Sequence, residues 1–194
     1  LITQLYETHD GTPLEGEQPA HIPLPEPTDT PLESIWEQES GLFLITHSER
    51  ESRVSNPFEA QLIAELLGAD SVEGLEEESV SVLTPHTAQR SHLQEVLAEQ
   101  RDGPIDVIDT VERLQGGESR NIIVSATASD PTAIGSNEEF LLDLNRSNVA
   151  FSRAQERLII ICSESFLNHI PPEVEEYNAA MLWKSLRSLC SAEI

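Results

Sequence analysis

Ile105-Asp106-Val107-Ile108-Asp109-Thr110-Val111-Glu112-Arg113-Leu114-Gln115-Gly116-Gly117-Glu118-Ser119-Arg120-Asn121-Ile122-Ile123-Val124-Ser125-Ala126 holds two short β-branched runs joined by a polar, glycine-containing segment. Runs of this length and composition read as buried strands, here residues 105–109 and 122–126. They are the third and fourth of a series that also contains residues 42–46, 80–84 and 158–162. Helical stretches separate them. Ser55-Asn56-Pro57 can cap a helix whose apolar face is Ala60, Ile63, Ala64 and Leu67 and which ends at Gly68. After Pro85 a second helix carries Leu93, Val96 and Leu97. Continuous Val/Ile/Leu strands interleaved with helices predict parallel strands covered on both faces, a doubly wound α/β sheet.

Outside this series the pattern changes. Residues 7–40 contain Pro13, Pro19, Pro23, Pro25, Pro27 and Pro31 among acidic and small polar residues, so residues 1–40 read as an acidic arm or insertion. Order is expected to begin at Gly41 and the folded domain to span 41–194. At the far end Val174, Tyr177, Ala180, Met181, Trp183, Leu186 and Leu189 predict a closing amphipathic helix that faces the core. The chain starts with Leu rather than Met, which fits a piece of a longer protein.

Asp and Glu total 35 against 11 Lys and Arg, a net charge of −24, and Lys184 is the single lysine. An apolar fraction of 38% argues against acidic disorder. Carboxylates scattered at this density repel one another, and multimolar salt screens them, with a Debye length of about 3 Å at 1 M. The surface therefore reads as adapted to concentrated salt, and net charge does not exclude nucleic acid. Residues 1–49 hold no Lys or Arg, whereas Arg113, Arg120, Arg146, Arg153 and Arg157 gather around two polar segments. Cys162 and Cys190 lack metal-ligand spacing and read as reduced thiols of a cytoplasmic protein. No apolar run is long enough to span a bilayer.

Three segments carry chemistry. In Gln115-Gly116-Gly117-Glu118 a glycine pair permits a tight turn that brings backbone N–H groups to a phosphate or sugar, and Gln115 and Glu118 can bond a ribose or a water. Alone, the segment also fits a plain polar turn. Asn148-Val149-Ala150-Phe151-Ser152-Arg153-Ala154 reads as a helix before the fifth strand. The permanent charge and rigid fork of Arg153 suit a transferring γ-phosphate, although a lone solvated arginine fits as well. Both segments are expected at one end of the sheet. Thr84-Pro85-His86-Thr87-Ala88-Gln89 leaves the second strand and can grip a nucleic-acid backbone through hydroxyls and helix N–H groups, or Thr84 can simply cap the helix. No Ser/His/Asp or Cys/His set surrounds His86, and no Gly-x-Gly-x-x-Gly follows a strand, which disfavours a small-molecule Rossmann enzyme.

In this order and at these spacings, the segments resemble the second RecA-like domain of superfamily 1 helicases, in the group of the nonsense-mediated-decay helicase and the replication helicase-nuclease. The family's Thr-Pro-Tyr-x-x-Gln is matched by Thr84-Pro85-His86-Thr87-Ala88-Gln89. Its motif V, Thr-Val-Asp-x-Phe-Gln-Gly-x-Glu, is matched by Thr110-Val111-Glu112-Arg113-Leu114-Gln115-Gly116-Gly117-Glu118. Its motif VI, Arg-x-Asn-Val-Ala-x-Thr-Arg-Ala, is matched by Arg146-Ser147-Asn148-Val149-Ala150-Phe151-Ser152-Arg153-Ala154. Ser55-x-x-x-Glu59-Ala60 also matches the lead into that domain's first helix. His86, Glu112, Leu114 and Ser152 replace the pattern's Tyr, Asp, Phe and Thr without deleting a charged group.

The resemblance covers residues 41–165 and implies a RecA-like P-loop NTPase fold. It implies Arg153 as the arginine finger, Gly116 and Glu118 on the nucleotide, and Gln115 coupling nucleotide to strand. Thr84 and Thr110 would touch single-strand phosphates, with His86 and Gln89 in the same nucleic-acid-facing set. The 194 residues contain neither a Gly-x-x-x-x-Gly-Lys-Ser/Thr loop nor an acidic Mg²⁺ motif, and no metal ligands are expected here. ATP and Mg²⁺ would then be bound jointly with an N-terminal RecA-like domain of the same chain, and this fragment alone is expected to hydrolyse no ATP. The reading is the C-terminal motor domain of an ATP-dependent DNA or RNA helicase, 5′-to-3′ by resemblance, acting on single strands and not on membranes. The competing reading is a non-catalytic α/β module that binds nucleotide, nucleic acid or protein.

Overall fold

Short β-branched runs with helices between them assemble into one parallel sheet. The computed structural model describes residues 32, 34–68, 79–100, 107–111, 119–172, 174–190 and 192–193. A one-turn helix α1 (Ser34–Glu37) precedes β1 (Gly41–His47), α2 (Pro57–Gly68), β2 (Val80–Thr84), α3 (Thr87–Gln100), β3 (Val107–Thr110) and β4 (Ser119–Ser125). Then come α4 (Pro131–Ser136), α5 (Glu138–Leu141), α6 (Leu144–Phe151), β5 (Ala154–Ser163), α7 (Glu164–Leu167), α8 (Val174–Leu189) and a two-residue β6 (Ala192–Glu193). Among the described residues the strand order is β3-β2-β4-β5-β1-β6 and every pairing is parallel.

Alternation of side chains across the sheet divides the core into two layers. Leu42, Leu44, Ile122, Val124, Leu158, Ile160 and Cys162 pack on one face, against Phe151, Phe166, Trp183 and Leu186. Phe43, Ile45, Val82, Ile123, Ile159 and Ile161 pack on the other, against Ala60, Ile63 and Leu66 of α2 and Leu93 of α3. Trp183 stands edge-on to Phe151 at 5.7 Å and to Phe166 at 4.8 Å, which fixes α8 to the sheet. Burial on both faces explains the unbroken apolar runs: in the interior of such a sheet a strand has no solvent side. At the start of α2, Asn56 Oδ1 accepts from the backbone N–H of Glu59 at 3.0 Å, and Pro57 fills the first helical position.

Three expectations change. Strands β4 and β5 begin earlier than their apolar runs, at Ser119 and Ala154, because backbone pairing of Ser119 with Ala154 and Asn121 with Arg157 carries polar residues into the ladder. Packing also begins before Gly41. Ile35 is fully buried in the second core layer, and Trp36 Nε1 donates to the Leu66 carbonyl at 2.9 Å. Arg157 Nε donates to the Gln38 carbonyl at 2.8 Å, its Nη1 donates to Asn121 Oδ1 at 2.9 Å, and its guanidinium lies 5.6 Å from the Trp36 ring centre. Residues 34–40 are thus held by the domain; of the proline-rich run before them, residues 1–31 lie outside the described residues. Tyr177, expected in the core, is 43% exposed and faces Lys184 instead. Cys162 and Cys190 are both free and buried, and no described helix is long and apolar enough to cross a membrane.

Candidate functional site

The two ends of the sheet hold different chemistry. At the amino ends of β4 and β5, Ser119 pairs with Ala154, and the Ser119 N–H donates to the Arg153 carbonyl at 3.1 Å. Arg153 occupies the turn after α6, two residues beyond its last residue and directly before β5. The buried Phe151 and Ala150 anchor that helix in the core, so the backbone beneath the guanidinium is fixed. Glu118, the last residue of the glycine segment, directly precedes Ser119 in the sequence. Residues 112–118, including Gln115, Gly116 and Glu118, lie outside the described residues, as do the side chains of residues 144–146. Arg153 thus stands at the amino edge of the sheet, opposite the carboxyl edge where open α/β sheets usually gather ligands.

At the carboxyl edge Thr84 and Thr110 end neighbouring strands in register. Thr84 is fully buried, with its Oγ1 2.8 Å from Thr127 Oγ1. Gln89 is equally buried. Its Oε1 accepts from the Asn56 N–H at 2.7 Å, and its Nε2 donates to the Asn56 carbonyl at 3.1 Å and to Ser125 Oγ at 3.2 Å. Both polar groups of the amide are therefore spent inside the domain, tying β2's exit to α2 and β4. Thr110 is buried as well, whereas His86 is half-buried and stacks on Phe140 at 5.3 Å.

Between these ends of β1, β2 and β4 runs a buried polar network. Glu59, fully buried on α2, accepts the Thr127 N–H at 3.0 Å and the Ser125 hydroxyl through Oε2, while Oε1 lies 3.1 Å from His47 Nε2. Thr127 adopts φ of 69°, a left-handed conformation unusual for a β-branched residue. Every polar group of this residue is engaged: the N–H by Glu59, the carbonyl by Asn56 Nδ2 at 3.0 Å, and the hydroxyl by Thr84. Such a conformation persists where its surroundings over-determine it. The resemblance pointed to Glu59 only as part of a helix start. Nothing pointed to Thr127, and the one signal was the small polar run Ser125-Ala126-Thr127-Ala128-Ser129 after an apolar strand.

The loop after β1 is tied to the same network. Glu49 Oε1 accepts from the backbone N–H groups of Glu51 at 2.6 Å and Ser52 at 3.1 Å, and Oε2 accepts from Asn56 Nδ2 at 3.2 Å and from the Ser129 hydroxyl. Burial alone would raise the Glu49 pKa, but the bonds from Ser129, Glu51 and Ser52 outweigh it and hold the carboxyl below its ordinary value. A depressed folded pKa contributes stability that is complete above the unfolded pKa and is lost as pH falls through the folded one. Amide exchange at Glu51, whose N–H donates to Glu49 Oε1, corrected for its intrinsic rate, is accordingly expected to stay slow from neutral pH down to about 4.3 and to accelerate below it. Uniform protection through the acid range would exclude Glu49 as the tie.

An all-parallel sheet with helical layers on both faces is that of a RecA-like α/β domain. Residues 33–165 match the family model described as an AAA domain, which is more than half of the chain, and the protein belongs to that family. The chain is 30% identical over 121 residues to the DNA replication ATP-dependent helicase/nuclease JHS1 of Arabidopsis thaliana, which covers 62% of this chain and 9% of that protein. It is 34% identical over 119 residues to the DNA replication ATP-dependent helicase/nuclease DNA2 of Mus musculus, covering 61% of this chain and 11% of the relative. It is also 34% identical over 104 residues to the uncharacterized ATP-dependent helicase MJ0104 of Methanocaldococcus jannaschii, covering 53% of this chain and 14% of that one. The chain thus spans only a small part of the length of these relatives.

Proposed function

We propose that this domain is the C-terminal motor half of an ATP-dependent superfamily 1 helicase. The observation that carries this reading is the bond between Ser119 and Arg153, which sets the backbone of Arg153 at the amino ends of β4 and β5. Arg153 serves as the arginine finger, and Gln115, Gly116 and Glu118 form the rest of this half of the nucleotide site. Among the described residues no group of His, Cys, Asp or Glu is arranged to hold a metal ion. On this reading Mg²⁺ and the phosphate cradle belong to an N-terminal RecA-like domain of the same chain. When bound, ATP supplies the free energy of phosphoryl transfer. This chain's part is to offer Arg153 to the charge that develops there and to pass opening and closing of the cleft through the sheet to its carboxyl edge.

At that edge the domain grips single-stranded DNA or RNA. The burial of Thr84, Gln89 and Thr110 supports a positioning role for all three: they hold the ends of β2 and β3, and His86 presents that edge to the strand. The net charge of −24 with one lysine supports operation in concentrated salt, inside a salt-adapted cell. The test is ATP hydrolysis by the full-length protein with and without single strands, across KCl from sub-molar to multimolar. Hydrolysis stimulated by the strand and rising with salt is the expected result. Absence of hydrolysis at every salt concentration would replace the motor by a non-catalytic binding module.

A further inference from the structure

The loop that follows β1 is irregular yet held as firmly as a secondary-structure element. Glu49 accepts four hydrogen bonds within it and from Ser129, and the Ser52 carbonyl accepts the N–H groups of both Ser129 and Asp130 at 2.9 Å. This bracing leaves two large apolar side chains in solvent, Val54 at 52% exposure and Phe58 at 49%. They lie in an open depression of about 540 Å³ bounded by Glu49, Ser52, Arg53, Val54, Pro57 and Phe58. Phe58 is fixed from behind. Its ring lies 5.0 Å from that of His47, which is itself buried against Glu59. The result is an aromatic ring with one side supported by the protein and the other available.

Two observations indicate what covers it. Arg50 and Arg53 are exposed on the same loop, in a chain whose preceding 49 residues have no Lys or Arg. The Arg53 guanidinium keeps 67% side-chain exposure while standing 3.6 Å from Asp130; on the rim of the same depression the Glu49 carboxyl is engaged by its own hydrogen bonds and Glu51 is exposed. Furthermore, the loop leaves the carboxyl end of β1, on the same edge of the sheet as Thr84 and Thr110. In the order β2-β4-β5-β1 three inter-strand spacings, about 14 Å, separate it from the β2 exit. A supported aromatic ring beside exposed arginines is the arrangement that single-strand binders use: bases stack on the ring and the cations meet phosphates.

We propose that Phe58 and Arg53 form a second contact point for single-stranded nucleic acid, with a base stacked on Phe58 and a backbone phosphate at Arg53. The proposal rests on the motor reading above, since it extends the strand path along the same edge. Truncating a stacked aromatic weakens binding by about 5- to 150-fold per base. Losing one phosphate contact reduces the slope of log affinity against log salt by about 0.7.

The test is titration of the full-length protein with a fluorescent single-stranded oligonucleotide, at salt concentrations where the fold is retained, for wild type, Phe58→Ala, Phe58→Trp and Arg53→Ala. Weaker binding for Phe58→Ala, retained binding for Phe58→Trp, a shallower salt slope for Arg53→Ala and unchanged strand-free ATP turnover in all three are expected. Wild-type affinity and salt slope in Phe58→Ala and Arg53→Ala would overturn the contact point while leaving the motor reading intact. A wild-type protein that binds no single strand would remove both. A Phe58→Ala variant that binds normally but sediments as a smaller species than wild type would identify a protein interface instead and overturn the proposal.

Discussion

Replacing Arg153 by Ala in the full-length protein is expected to lower ATP turnover at saturating nucleotide by about 10³-fold or more, the range seen when an arginine finger is lost. The structure makes this substitution informative. Arg153 holds the start of β4 through its backbone carbonyl, which accepts from Ser119, so removing the side chain leaves that junction in place. The preceding helix is anchored in the core by Ala150 and Phe151. Thermal stability and oligonucleotide affinity without nucleotide should therefore stay near wild type. Arg153→Lys keeps the charge but not the planar fork, and should recover only part of the lost turnover. Steady-state hydrolysis together with thermal melting decides the matter. Unchanged turnover excludes the finger, and a fall in turnover that tracks a fall in melting temperature reassigns Arg153 to the fold.

The largest effect on stability is expected at Glu59. Replacing it by Ala leaves the Thr127 N–H, the Ser125 hydroxyl and the His47 ring without their shared partner in a region closed to water. Leaving a buried donor without its acceptor costs about 1–3 kcal/mol. It also releases Thr127 from the left-handed conformation that the Glu59 bond helps enforce. Glu59→Gln preserves shape and one acceptor oxygen, so it should cost less than Glu59→Ala. The measurement is the midpoint of denaturant unfolding, with the slope unchanged if the effect is on the native state. A loss below about 1 kcal/mol for Glu59→Ala would mean that the network is not a principal support of this edge.

Much of the architecture was legible residue by residue. Leu42 to Thr46 and Leu158 to Cys162 are apolar at every position but one because their strands are covered on both faces, and that pattern needs no knowledge of partners. Asn56-Pro57 and Gly68 bracket α2 through local backbone chemistry. Ile35 was not legible. It sits in a proline-rich, acidic stretch, and its burial depends on α2 and on Arg157, more than a hundred residues away. Tyr177 failed for the complementary reason: helical periodicity says which residues share a face, but the width of the buried stripe depends on what that face meets.

The functional site divides in the same way. The sequence by itself determined the alternation of strands and helices, the acidic balance and the motif residues, Arg153 among them, because these follow from residue type and short spacing. Only the tertiary structure decided which edge of the sheet each motif occupies, Arg153 at the amino end of β5 and Thr84 at the carboxyl end of β2. It also decided that Thr84 and Gln89 are enclosed, since their partners Thr127, Asn56 and Ser125 lie 33 to 43 residues away. A hydroxyl or amide carries the same chemistry whether it faces a ligand or a neighbouring side chain. Which of the two it faces depends on the long-range packing that removes it from water.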